Sequence, residues 1–214
     1  MINRRAILAG SAGLGILAFG GIGLARFATS RSPAGADSGP EPAAVLFDPD
    51  QPVLGNSDGD VTVAEFFDYQ CPFCKRGHDA LMEEVAADGG VRLIMKDWPI
   101  FGGASVAAAQ MALGGVARGE YAAAQAALMA TPARLTEDQV RAVLTEVGLD
   151  PDALMASYRE DLGRWDGLIG RNRAQAAALG LQGTPAFIVG YSIHAKALDS
   201  AQLRAAFADA RTNA

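Results

Sequence analysis

The sequence predicts an α/β domain that runs strand–helix–strand, then a helical insertion, then strand–strand–helix. Three observations carry this. "VTVAEFF" (61–67) and "VRLIMKDW" (91–98) are β-branched and aromatic-rich runs flanking a stretch that "DGG" (88–90) terminates. Residues 105–179 are Ala-rich with helical periodicity. "PAFIVG" (185–190) and "YSIHA" (191–195) then read as two short strands meeting at Gly190, followed by "SAQLRAAFADA" (200–210) as a closing helix.

In chain order, the first 36 residues read as an export segment. Arg4 and Arg5 precede an uncharged run from Ala6 to Ala25, and "AGAD" offers a small-x-small cleavage site ending at Ala36. The "NRRAIL" start resembles a twin-arginine signal. The alternative is an uncleaved membrane anchor over residues 6–25, although six of those twenty residues are Gly. Either reading places the domain outside the cytoplasm, where disulfides persist. Residues 37–54 read as a linker, because Pro40, Pro42, Pro49 and Pro52 preclude a long helix there. The domain is expected over 55–214. Its first helix should start at the cysteines and reach about Asp88. Pro99 and the Gly102–Gly103 pair then break the chain. In the insertion, Thr136 with Gln139 fits a capping box, and Asp150–Pro151 fits an N-cap followed by a first-turn proline.

The net charge is -6, and no basic stripe or Gly-rich phosphate loop is present. Both facts argue against nucleic acid as a partner. The chemistry concentrates in "EFFDYQCPFCKRGHDALMEE" (65–84), which holds both cysteines, Cys71 and Cys74. A structural staple is disfavoured, since a two-residue spacer closes almost no loop. A metal site needs four ligands, and only by adding His78 and distant His194 does the count reach four. His78 reads as a solvated helix residue. A redox pair fits the context better. A thiolate is the attacking species, and a helix N-terminus favours negative charge. Cys71 would stand there, with Cys74 one turn in and Pro72 in the first turn. No nicotinamide or flavin fingerprint is present, so electrons should leave through another protein.

"VAEFFDYQCPFCKRGH" (63–78), "GTPAFIVG" (183–190) and "ALDSAQL" (197–203) together resemble the DsbA-like thiol–disulfide oxidoreductases of the thioredoxin superfamily. The resemblance spans about residues 45–210 and implies a thioredoxin-like fold with a helical insertion. It implies that Cys71 is the nucleophile and Cys74 the resolving thiol. It implies a cis-proline at Thr184–Pro185, packed against the active-site pair, with Thr184, Pro185 and Phe73 facing the substrate. Glu65 matches the family's buried acid beneath the site, and Lys96 the lysine that accompanies it. The cofactor expectation is none beyond the Cys71–Cys74 disulfide itself.

The expected function is a periplasmic dithiol oxidase whose partners are reduced or misoxidised exported proteins, recycled by a membrane redox partner. An isomerase or reductase of the same fold is the alternative, and Thr184 before the proline favours it somewhat. A thiol-based metal-handling or chaperone module is a third reading. Residues 37–55 are too Pro-broken for a coiled-coil stalk, so a monomer is expected. "HAKALD" (194–199) departs from the relatives, and the sequence offers no account of His194 and Lys196 there.

Overall fold

The structure is a computed structural model that describes residues 42–132 and 134–213. The expected export or anchor segment, residues 6–25 included, lies outside the described residues.

Five strands form one sheet in the order β1-β3-β2-β4-β5. β2 (Val61–Phe67) and β3 (Val91–Asp97) are parallel neighbours joined by α2 (Pro72–Asp88). A parallel pair needs such a crossover. β4 (Ala186–Val189) runs antiparallel to β2, and β5 (Ser192–His194) antiparallel to β4. Gly89 caps α2 with a left-handed φ of 70°, which a glycine adopts without steric cost. Five helices fill the insertion: α3 (Gly103–Gly114), α4 (Tyr121–Met129), α5 (Glu137–Glu146), α6 (Pro151–Glu160) and α7 (Leu162–Ala178). The Thr136–Gln139 capping box forms at α5, and Asp150 caps α6 through the N–H groups of Asp152 and Ala153. α8 (Ser200–Thr212) closes the fold.

The stretch 37–54 departs from the linker reading where it is described. Pro42–Leu46 forms a short helix, α1, and Val53–Gly55 forms β1, antiparallel to β3. The prolines do preclude a long helix. They do not prevent a one-turn helix or an edge strand, and burial of Val45 and Leu46 holds α1 in place.

β2 and β3 are buried on both faces, so their sequences are nearly continuous apolar runs. Side chains alternate across a strand. Val63, Phe67, Leu93 and Met95 pack with Leu81 and Val85 of α2 and Phe207 of α8. Ala64, Phe66 and Ile94 belong to a second cluster with Val45, Leu46 and Ala176. Within the insertion, α3 meets α6 backbone to backbone. A Cβ on Gly114 would stand 2.0 Å from the Leu154 carbonyl oxygen and 3.1 Å from the Tyr158 nitrogen. Gly114→Ala should therefore destabilise the domain by about 3 kcal/mol, outweighing the ~1 kcal/mol that alanine gains in helix propensity. Urea denaturation of both proteins checks this.

Candidate active site

The loop between β2 and α2 builds the site. Asp68 organises it. Its carboxylate accepts from the N–H groups of Gln70 (2.6 Å), Ile100 (2.6 Å) and Phe101 (3.1 Å) and from the Ser105 hydroxyl (2.7 Å). These bonds tie the cysteine turn to the loop after β3. An aspartate between a strand and a helix is the type that such turns favour, but its long-range partners had no signature in the sequence.

Cys71 is the N-cap of α2, with Pro72 in the first turn. Its sulfur accepts from the Cys74 backbone N–H at 3.4 Å, and its thiol reaches the Thr184 carbonyl at 3.2 Å. The Thr184–Pro185 bond is cis. Both cysteines are free and buried. Their environments pull them apart. The Cys74 side chain, hydrogen-bonding to the Cys71 sulfur, is the largest cause that lowers the Cys71 thiol to about 6, against the opposing effect of burial. Backbone N–H groups of the first helical turn add to it. Burial drives the Cys74 thiol far above its ordinary value, and the bond to Cys71 and the Glu65 charge add to that. One sulfur is thus ionised near neutral pH, and its neighbour keeps its proton.

Glu65 lies on β2 beneath the pair, 2% exposed. Burial raises its carboxyl to about 8, and the Cys71 charge adds to the shift. Its Oε2 is buried without a hydrogen-bond partner among the described residues. It is a neutral acid at pH 7, close enough to feel the Cys71 charge and for its own charge, when ionised, to raise the Cys74 thiol.

Lys96 is not beside it. The β2–β3 register pairs Glu65 with Met95 and Phe66 with Lys96. Alternation therefore puts Lys96 on the opposite face of the sheet from Glu65. There Lys96 is fully buried, and its ammonium donates to Gln175 Oε1 (2.8 Å), Asn172 Oδ1 (3.1 Å) and Gln51 Oε1 (3.4 Å). Burial lowers its pKa to about 8, opposed by the charge of Asp48. Gln51 also donates to the Met95 carbonyl. Lys96 thus fastens residues 48–51 and α7 to β3. The pairing read from the family pattern is replaced by this network.

His78 also departs from expectation. It is 5% exposed, and Cys74, His78, Leu81 and Val85 form the buried stripe of α2. The spacing of four, three and four residues is that of one helix face, so a position read as solvated faces the core. Burial lowers its pKa, and Nδ1 has no hydrogen-bond partner among the described residues. Asp97, overlooked in the sequence, ends β3 on the same face as Glu65, since it pairs with Phe67. Burial raises it to about 8, and its Oδ2 accepts from the Tyr121 hydroxyl at 3.3 Å. The nearest sequence signal was an acid closing a buried strand.

Above the pair, Phe73, Gln182, Thr184, Pro185 and Lys196 line a groove of about 610 Å³. Phe73 is 56% exposed at its rim. His194 is half-buried on β5, opposite Phe187.

A helix-capping thiol of low pKa, a buried resolving thiol one turn on, and the Thr184 carbonyl before a cis-proline against the first sulfur define a thiol–disulfide oxidoreductase on a thioredoxin-like fold. The chain belongs to the thioredoxin family, whose sequence profile, described as Thioredoxin, matches residues 48–209. Solved structures agree. A thioredoxin-like oxidoreductase from Silicibacter pomeroyi DSS-3 is 38% identical, with a TM-score of 0.77 over 81% of this chain and 99% of that one. The thiol-disulfide exchange protein alpha-DsbA2 from Wolbachia pipientis is 27% identical, with a TM-score of 0.71 over 78% of this chain and 90% of its own. A periplasmic thioredoxin-like protein from Salmonella enterica serovar Typhimurium is 29% identical, with a TM-score of 0.69 over 79% and 95%. No curated protein matches the chain.

Proposed function

We propose that this protein is an exported dithiol oxidase that passes its Cys71–Cys74 disulfide to client proteins. The lowered Cys71 thiol is the observation that carries the reading. A client thiolate attacks the Cys71 sulfur of the oxidised pair. The Cys71–Cys74 bond breaks, and Cys74 leaves and takes up a proton. A second client thiolate then attacks the client sulfur of the mixed disulfide. The client disulfide forms, and Cys71 departs as the thiolate. Two electrons pass from client to enzyme. A membrane-bound disulfide donor accepts them and restores the pair. A sulfur that ionises near pH 6 is a good leaving group in the last step.

The redox consequence has a size. Against an ordinary Cys71 value of 9.0, a thiol at about 6 stabilises the reduced form about tenfold at pH 7. That makes the pair about 30 mV more oxidising. The burial of Cys74 adds no compensating thiolate in the reduced state. Export is supported by Arg4, Arg5 and the uncharged run 6–25, and by the periplasmic description of the Salmonella neighbour. Among the described residues no helix is long and apolar enough to cross a membrane.

Equilibration of the protein with glutathione tests the reading. A reduction potential above about −220 mV is expected for a disulfide donor. A value at or below that poise overturns the oxidase reading in favour of a reductase.

A further inference from the structure

The loop that departs from the family pattern lies in the groove beside the cis-proline. Lys196 lines that groove with Phe73, Thr184 and Pro185. The Phe73 ring is covered by the Arg76 guanidinium, 4.5 Å from its centroid. Phe73 and Ala197 also line the adjoining groove, which reaches Arg76 and Asp199. Lys196 and Arg76 are exposed, and neither forms an ion pair among the described residues. Among the described residues that line these two grooves Asp199 is the one carboxylate, and it caps α8, accepting from Gln202 N–H at 2.8 Å. A peptide laid across Pro185 with its cysteine at Cys71 would therefore pass an aromatic ring and two cations, Lys196 and Arg76, that form no ion pair among the described residues.

We infer that Lys196 is a specificity-determining residue that favours client peptides carrying a carboxylate next to the reactive cysteine. The inference rests on the oxidoreductase reading of Cys71. The chain's net charge of -6 opposes acidic partners at long range. That opposition is screened beyond about 8 Å at physiological ionic strength, so the cations within the groove decide the preference. An exposed pair of this kind is weak, and its effect is a few-fold in rate.

The test uses the oxidised full chain and two reduced peptides, each with one cysteine, differing only in Asp or Asn beside it. The second-order rate of enzyme reduction is read by acid quench and thiol alkylation. Each rate is divided by the same peptide's rate with hydroxyethyl disulfide, which removes differences in thiolate fraction. The expected Asp/Asn ratio is about 3 at low salt, falling to about 1 in 1 M salt. Lys196→Glu should bring the ratio below 1, and Lys196→Gln close to 1. A ratio unmoved by both substitutions overturns the role of Lys196, while exchange with either peptide leaves the Cys71 reading in place. Failure of both peptides to reduce an enzyme that dithiothreitol does reduce overturns the client-exchange reading itself.

Discussion

Cys71→Ser should lower thiol–disulfide exchange to background, at least about 10³-fold, because only a thiolate attacks at these rates. The remaining thiol cannot substitute. Burial, the bond to Cys71 and the Glu65 charge hold the Cys74 proton far above neutral pH. Cys74→Ala has a different expected outcome. Cys71 can still attack a disulfide once, so one equivalent of mixed disulfide should accumulate with oxidised glutathione and persist, with nothing to resolve it. Mass spectrometry of the two variants after the same exposure distinguishes them. The pair also predicts a pH profile. Iodoacetamide should alkylate the reduced wild type with a midpoint near 6, the Cys71 value. In Cys74→Ala the midpoint should rise, since the Cys74 side chain is the largest cause of the lowering. Equal alkylation of Cys71 and Cys74 in the wild type, or a midpoint near the ordinary 9, would contradict the assignment of roles.

Glu65→Gln should stabilise the reduced protein at neutral pH while slowing its chemistry. The folded-state value of Glu65 is raised from 4.5 to about 8 by burial. The folded protein then holds a proton that the unfolded chain has released. The stabilisation from neutral Glu65 is fully present below pH 4.5 and is lost progressively as pH rises through about 8. At pH 7 the loss is about 3 kcal/mol. Glutamine keeps the shape and has no proton to lose. The difference in unfolding free energy between variant and wild type should be near zero at pH 4.5 and grow in favour of the variant by pH 7. Urea denaturation at three pH values measures it. Cys71 has the opposite slope, because its lowered value contributes stability above pH 9 that is lost as pH falls through 6. Taking the difference between the two proteins removes that contribution apart from the charge coupling of Cys71 to Glu65. The cost falls on proton transfer. Glu65 at about 8 can exchange a proton with Cys74 near neutral pH, and general acid–base help of this kind is worth about 10²-fold or more. Release of the mixed disulfide by Cys74 should slow by that order in Glu65→Gln. A variant with unchanged release and an unchanged pH slope would remove Glu65 from the mechanism.

The parts of the fold that were legible in the sequence have short-range causes. β2 and β3 announce themselves as nearly continuous apolar runs, because both faces of each strand are buried. α2 announces its start by a cysteine and a proline and its end by Gly89, because caps are made by residues within one turn. The capping residues Thr136 and Asp150 and the turn at Gly190 were legible for the same reason. Cys71 and Cys74 were legible as a pair because a redox couple needs one helical turn between its sulfurs.

What remained hidden depends on which chain segment packs against which. His78 looked like a solvated residue until α2 met the sheet and its stripe with Cys74, Leu81 and Val85 turned inward. Lys96 looked like the companion of Glu65 until the parallel register set it opposite Phe66, on the other face, where it fastens α7 and residues 48–51. Lys196 had no reading until the loop after β5 came to rest beside Pro185. By itself the sequence determined the alternation of elements, the caps and the redox pair, since neighbours along the chain supply those interactions. Only the tertiary structure decided the partner of each buried charge, because a desolvated ion is stabilised by whatever polar groups distant segments bring to it, and strand register is set by the burial of an entire face.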